Sequence, residues 1–181
     1  MGYVQAGSDS YNPDEAKALL DEAGFDYSQT FELMTTDDAT AISVCEACKN
    51  MWNAVGIQVE IVTYDQATMT EKVGAGEYQM QISSSSASSG DPDHALYEWK
   101  SEVHGLNTPP EMMELIARGV QTYDAEERKK IYAEIQETGW NYYGELMIAF
   151  SNVTYGASSR VQNLDVQPGS VPNFAGLTFS E

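Results

Sequence analysis

Six serines crowd positions 83–89, followed by Gly90 and then Asp91, Asp93 and His94. Serine hydroxyls both donate and accept hydrogen bonds, and their small side chains let a ligand approach the backbone. A run of this kind can bind a polar solute, and it can equally be a solvated connection, as Gly/Ser-rich stretches commonly are. Catalysis would need a base held against one hydroxyl. No nucleophile elbow, phosphate loop, zinc-protease helix or dinucleotide fingerprint occurs in the chain. An enzyme using acids such as Asp91 and Asp93 for general acid–base work is the remote alternative, and no pair of acids in context supports it. Asp91, Asp93 and His94, with His104 ten residues on, fall short of a metal set. A turn leading into a helix, with Asp91 or Asp93 as cap, accounts for them. Trp140, Tyr142 and Tyr143 could stack on a ligand, although aromatics at a helix end usually belong to the core.

The other reactive pair is Cys45 and Cys48. A redox motif of this spacing follows a strand and opens a helix. Here Ala41, Val44, Cys45, Cys48, Trp52 and Val55 share one face of a helical pattern, which assigns both thiols to the core.

The chain of 181 residues suits one domain, and its net charge of −19 argues against nucleic acid or an anionic membrane as a partner. No apolar run approaches the roughly 20 residues of a membrane span. No charged segment precedes an apolar one as in a signal peptide, so Met1-Gly2-Tyr3 reads as the start of a truncated or processed chain.

The elements that must position the serine run are written in local signals. Asn12, Pro13, Asp14 and Glu15 open a helix that Gly24 closes, with Ala16, Leu19, Leu20 and Ala23 as its expected buried stripe. Residues 30–35 read as a strand, with Phe31 and Leu33 on one side. Asp37 or Asp38 caps a helix that stops at Gly56. Residues 57–64 alternate as a half-buried strand, Asp65 caps a shorter helix, and residues 78–82 form another strand. This alternation predicts an α/β layer with partly parallel strands. Two further helices form a hairpin. One carries Met112, Leu115, Ile116, Gly119 and Tyr123; the other, capped by Asp124, carries Ile131, Tyr132 and Ile135. Residues 146–150, 161–166 and 177–179 are candidate strands.

Residues 11–25, with Tyr11, Pro13, Ala16-Lys17, Leu19-Leu20 and Glu22-Ala23-Gly24-Phe25, resemble a segment of the family 5 extracellular solute-binding proteins, the oligopeptide-, dipeptide- and nickel-binding components of ABC importers. The likeness continues in order through Val55-Gly56-Ile57, Gly76-Glu77-Tyr78-Gln79-Met80, the serine run ending at Asp91-Pro92, Pro110-Glu111 with Leu115-Ile116, and Arg128 with Tyr132, Glu134 and Gln136.

The resemblance implies a periplasmic-binding-protein-like lobe of the type II, or cluster C, kind, a mixed sheet flanked by helices. Residues 1–145 would form the C-terminal lobe. Residues 146–181 would cross the hinge and return to an N-terminal lobe. The implied function is capture of a peptide, sugar or similar solute in an interlobe cleft for an ABC transporter permease. The ligand contacts would be Ser85, Ser86, Ser88 and Asp91. No cofactor, metal or catalytic residue is implied. The location would be extracytoplasmic, in the periplasm or at the cell surface, with a lipid anchor upstream. Peptide-binding members have a Trp-x-x-Asp pattern whose acid meets the ligand's ammonium. That pattern falls on Ser85 and Ser88, and a neutral hydroxyl cannot supply the charge-assisted bond. A repurposed lobe acting as a sensor or interaction domain is the alternative.

Overall fold

The computed structural model describes residues 11–84, 90–100, 108–166 and 172–180, and of Tyr97 and Glu98 the backbone alone. The chain divides into two compact units.

The unit containing residues 11–84 is built on a parallel sheet. Its elements are α1 (Pro13–Glu22), β1 (Thr30–Thr36), α2 (Ala39–Ala54), β2 (Gln58–Tyr64), α3 (Gln66–Ala75) and β3 (Met80–Gln81). The strand order is β2-β1-β3. Thr30 pairs with Gln58 and Thr36 with Tyr64, while Leu33 pairs with Met80 and Met34 with Gln81. As the central strand, β1 is covered on both faces, so consecutive residues Leu33, Met34 and Thr35 are all buried. Leu33 packs with Cys45 and Val59, joined by Trp52, Ile57, Ile61, Met80 and Ile82. Met34 packs with Met69 and Val73, joined by Tyr64 and Tyr78. Alternate residues of β1 thus meet α2 on one face and α3 on the other, as a strand's two-residue period requires.

The helix ends follow their local chemistry. Asn12 accepts from the Glu15 amide at 3.1 Å and donates to the Glu15 carboxylate at 2.9 Å, a reciprocal cap. Asp38 accepts from the Ala41 amide. Asp65 accepts from the Ala67 and Thr68 amides and from the Thr68 hydroxyl. Gly76, at φ +70°, ends α3 in the left-handed region.

The other unit contains α4 (Tyr97–Lys100), α5 (Pro110–Gln121) and α6 (Ala125–Tyr142). A short 3-10 segment, Pro92–Leu96, precedes α4. Asp124 caps α6 by accepting from the Glu127 amide. The hairpin core is Met112, Leu115, Ile116 and Gly119 against Ile131, Tyr132, Ile135 and Gly139. Two small antiparallel ribbons follow: β4 (Val161–Gln162) with β7 (Thr178–Phe179), and β5 (Asp165–Val166) with β6 (Pro172–Asn173).

Four sequence expectations need correction. In α1, Leu19 and Ala23 are exposed and no residue is fully buried, because no other described element covers that stripe. Tyr123 is 98% exposed: α5 ends at Gln121, so Tyr123 leaves the helical face on which Met112 and Leu115 lie. Residues 146–150 form no strand, and Leu146, Met147, Ile148 and Phe150 are exposed. An apolar run becomes a strand only where a partner supplies hydrogen bonds. Residues 161–166 split into two short strands in different ribbons, with Asn163 at φ +58° between them.

Candidate functional site

The carboxyl edge of the parallel sheet is where its loops can meet a ligand. From β1 the chain turns through α2 to β2 on one side, whereas β3 lies on the other. The loops leaving β1 and β3 start from neighbouring strands at this edge, and in open α/β sheets ligands bind outside the carboxyl ends of the strands. Asp37 and Asp38 follow β1 at this edge. Beyond β3, Ile82 donates its amide to the Met34 carbonyl at 2.9 Å, and Ser83 and Ser84 emerge exposed. The capping carboxylates of Asp38 and Asp65 already satisfy the amides that open α2 and α3. Hydrogen bonds from Thr68, chiefly its hydroxyl, hold the Asp65 carboxyl below its usual range. The edge therefore presents hydroxyls and carboxylates, which suit neutral polar or cationic groups better than anions.

Of the residues the sequence singles out for ligand contact, Ser85, Ser86 and Ser88 lie outside the described residues. Asp91 is described, in the unit that holds the helical hairpin. It opens the 3-10 segment by accepting from the Asp93 amide at 2.9 Å, the capping role its sequence context allows. Arg128 of α6 grips the same carboxylate. One terminal nitrogen, Nη1, donates to Oδ2 at 2.9 Å, and Nη2 donates to Oδ1 at 2.8 Å. Arg128 also donates through Nε to the Gly119 carbonyl at 3.0 Å and through Nη2 to the Tyr132 hydroxyl at 3.1 Å. Its guanidinium lies 4.8 Å from the centre of the Tyr132 ring. The Arg128 hydrogen bonds hold the Asp91 carboxyl below its usual range, and Asp91 raises the Arg128 value in turn. Burial, above all, pushes up the Tyr132 hydroxyl.

Around this grip, Lys100 donates to the Asp93 carboxylate at 2.7 Å and Thr108 donates its hydroxyl to the Trp99 carbonyl at 2.6 Å. Trp99 is buried and meets the ring of Tyr142 edge-on, with centroids 6.1 Å apart. Tyr143 takes a left-handed conformation that ends α6 and is largely exposed. Sequence reasoning noted Arg128 only as part of the resemblance, and missed both its pairing with Asp91 and the role of Lys100. A carboxylate and its cation on separate elements leave no fixed spacing to read.

Among the described residues, no group of three or more His, Cys, Asp or Glu side chains is placed to hold a metal ion. Within the same residues, no helix is long and apolar enough to cross a membrane.

A family model described as "Bacterial extracellular solute-binding proteins, family 5 Middle" matches residues 1–107. The dipeptide-binding protein of Escherichia coli (strain K12) is 27% identical over 182 residues, covering 94% of this chain and 34% of that protein. Heme-binding protein A of Haemophilus influenzae is 26% identical over 181 residues, covering 93% of this chain and 33% of that protein. The chain therefore spans about a third of the length of these curated relatives. Among solved structures, HbpA2 from Haemophilus parasuis superposes with a TM-score of 0.79 at 20% identity, over all of this chain and 38% of that one. The periplasmic binding protein DppA from Helicobacter pylori, in complex with the peptide STSA, gives 0.65 at 22% identity over 75% of this chain and 28% of that one. The fold is that of a periplasmic binding protein, as the sequence leads one to expect.

Proposed function

The chain belongs to the bacterial extracellular solute-binding proteins of family 5, and we propose that it forms part of the substrate-binding component of an ABC importer, capturing a peptide or another small solute. The observation that carries this reading is the parallel sheet β2-β1-β3 with Ser83 and Ser84 exposed just beyond β3, at the carboxyl edge where ligands of open α/β sheets bind. Residues 1–145 would supply one wall of an interlobe cleft. Residues 146–181, with their exposed Leu146, Met147, Ile148 and Phe150, would return to a second lobe. The site would take its ligand through the Ser85, Ser86 and Ser88 hydroxyls and through Asp91, whose carboxylate Arg128 grips. Named relatives bind dipeptides, heme and glutathione, so the solute class is read from the site and not from the family. The acceptor-rich edge favours a solute with hydroxyl, amide or ammonium donors. The complex would deliver its solute to a membrane permease from outside the cytoplasm, anchored by a lipid upstream of this segment.

The test is calorimetry of the full-length protein against di- to pentapeptides with free and blocked amino ends, sugars and heme. One solute class should bind with 1:1 stoichiometry. Replacing Ser85, Ser86 and Ser88 together by Ala should weaken that binding at least tenfold. Unchanged affinity in the triple variant would remove the serine run from the site. Absence of binding by every class would leave a sensor or interaction domain as the better reading.

A further inference from the structure

Asp91 and Asp93 stand two residues apart in opposite settings. Lys100 takes Asp93 Oδ2 at 2.7 Å, and Asp93 Oδ1 is buried without a hydrogen bond among the described residues. The Asp93 side chain is 27% exposed and that of Asp91 45%, so Asp91 is the more open carboxylate. The backbone on both sides of Asp91 is set. Gly90 lies at φ +70°, and a Cβ there would meet nothing within 4 Å, so conformation and not space requires the glycine. Pro92 fixes its own φ. The Asp93 amide donates to Asp91 Oδ1 at 2.9 Å, and the His94 amide donates to the Asp91 carbonyl at 3.1 Å.

On the solute-binding reading above, we propose that Arg128 is a positioning residue of the solute site: it touches no solute, and it acts by holding Asp91 in place. A guanidinium carries five N–H groups. Arg128 spends donors on both Asp91 oxygens, the Tyr132 hydroxyl and the Gly119 carbonyl. Its plane lies over the Tyr132 ring, and its side chain is only 16% exposed. These partners turn it into a brace between the hairpin core and Asp91. Gly119 belongs to α5, and Tyr132, 2% exposed, belongs to α6.

The brace bears on the serine run through covalent reach. Asp91 follows Ser88 by three residues, at most about 11 Å of chain. Before the run, the Ile82 amide holds the Met34 carbonyl at 2.9 Å. A segment fixed at its ends has less freedom to lose when solute orders it, which raises affinity.

The first arm of the test needs no solute. In the full-length protein, Arg128→Met should speed hydrogen exchange at the Asp93 and His94 amides about tenfold or more and leave β1 unchanged. Equal exchange at Asp93 and His94 would overturn the brace. The second arm is calorimetry against the panel of di- to pentapeptides, sugars and heme, where all variants are fully folded. Arg128→Met should lower affinity about tenfold, and Arg128→Lys should fall between, because an ammonium lacks the fork. Ile135→Val, a truncation in the same hairpin core, should stay within about twofold of the unsubstituted protein. In an Asp91→Ala background, Arg128→Met should add less than about twofold, since the residue through which Arg128 acts is gone. Unchanged affinity in Arg128→Met, or an equal loss in Ile135→Val, would overturn the positioning role and leave the solute reading standing. A full tenfold loss in the Asp91→Ala background would overturn it in favour of direct contact with solute. Absence of binding by the unsubstituted protein across the panel would overturn the solute reading and this role together.

Discussion

Arg128 and Asp91 stand 37 positions apart in the chain and meet through paired contacts of 2.8 and 2.9 Å. The fork of a guanidinium matches the two oxygens of a carboxylate, which makes this a bidentate grip and not a chance approach of charges. Arg128 is 16% exposed and Asp91 45%, so water screens one side of the pair.

Arg128→Met should therefore destabilise the protein by about 1–2 kcal/mol, the scale of a hydrogen-bonded charge discounted for exposure. Arg128→Lys should recover only part of this, because one ammonium cannot repeat the fork or bond the Gly119 carbonyl through a second nitrogen. Urea unfolding at neutral pH measures both. Equal stability of all three proteins would show that the pair is ornamental.

The same pair sets an acid response. The folded Asp91 carboxyl titrates below its ordinary value, chiefly through its Arg128 hydrogen bonds. Its contribution is thus present above the unfolded carboxylate value of about 3.9 and is lost as pH falls toward the lower folded value. Asp91→Asn should cost stability at pH 7, and the difference from the unsubstituted protein should shrink below about pH 4. A difference that stays constant down to pH 2 would contradict the assignment.

Gly119 gives a test with opposite signs from two principles. In an exposed helix, Gly→Ala stabilises by about 1 kcal/mol. Here a Cβ at Gly119 would lie 3.0 Å from ring atoms of Tyr132, a side chain buried in the hairpin core. Overpacking should win, and Gly119→Ala should destabilise by about 1–3 kcal/mol in thermal unfolding. A raised melting temperature would mean that the Tyr132 ring yields freely.

For Cys45 and Cys48, replacement of both by Ala should cost about 1 kcal/mol apiece through lost packing, with solute binding unchanged. Burial raises both thiol values. Their stabilisation is therefore full below the ordinary thiol value of about 8.5 and is lost as pH rises through the higher folded values. The double Ala variant should lack that alkaline loss. A reversible thiol–disulfide potential in the range of exchange catalysts would refute a purely packed pair.

Much of the sheet unit was legible because its instructions are local. Asn12, Asp38 and Asp65 each cap a helix within three residues of themselves, and Gly76 ends one in place. The alternation of helices and strands implied parallel pairing, but the order β2-β1-β3 depends on which faces pack, which no local pattern states. The Asp91–Arg128 grip was illegible for the same reason. Leu146, Met147, Ile148 and Phe150 misled because an apolar run records the wish to be covered and not the geometry of the cover.

Hydrogen exchange should separate these two kinds of structure. Amides of β1, paired on both sides, and of β2 should exchange slowest in the sheet unit. Amides of residues 155–166 and 172–180 should exchange fast, since their ribbons pair only two residues per strand and bury no side chain fully. Uniform strong protection across the ribbons would mean that they belong to the core and that the division near residue 145 is misplaced.

The last expectation concerns selectivity. In a two-lobed receptor, closure lets each lobe supply part of the contact and excludes the water that weakens polar bonds. A chain that spans about a third of its relatives' length should hold solute weakly, if at all, where the full-length protein holds it tightly. The resemblance implies that Ser88, a neutral hydroxyl, falls where peptide-binding members carry an acid. In the full-length protein, Ser88→Asp should add a charge-assisted partner for an ammonium and shift preference toward peptides with a free amino end. A gain of about 1.5–3 kcal/mol, the scale of a hydrogen bond to a charged group, corresponds to about 10- to 150-fold in affinity. Calorimetry with one peptide, free and acetylated at its amino end, measures it directly. An equal response of the two peptides to the substitution would place Ser88 outside the reach of the ligand's amino group.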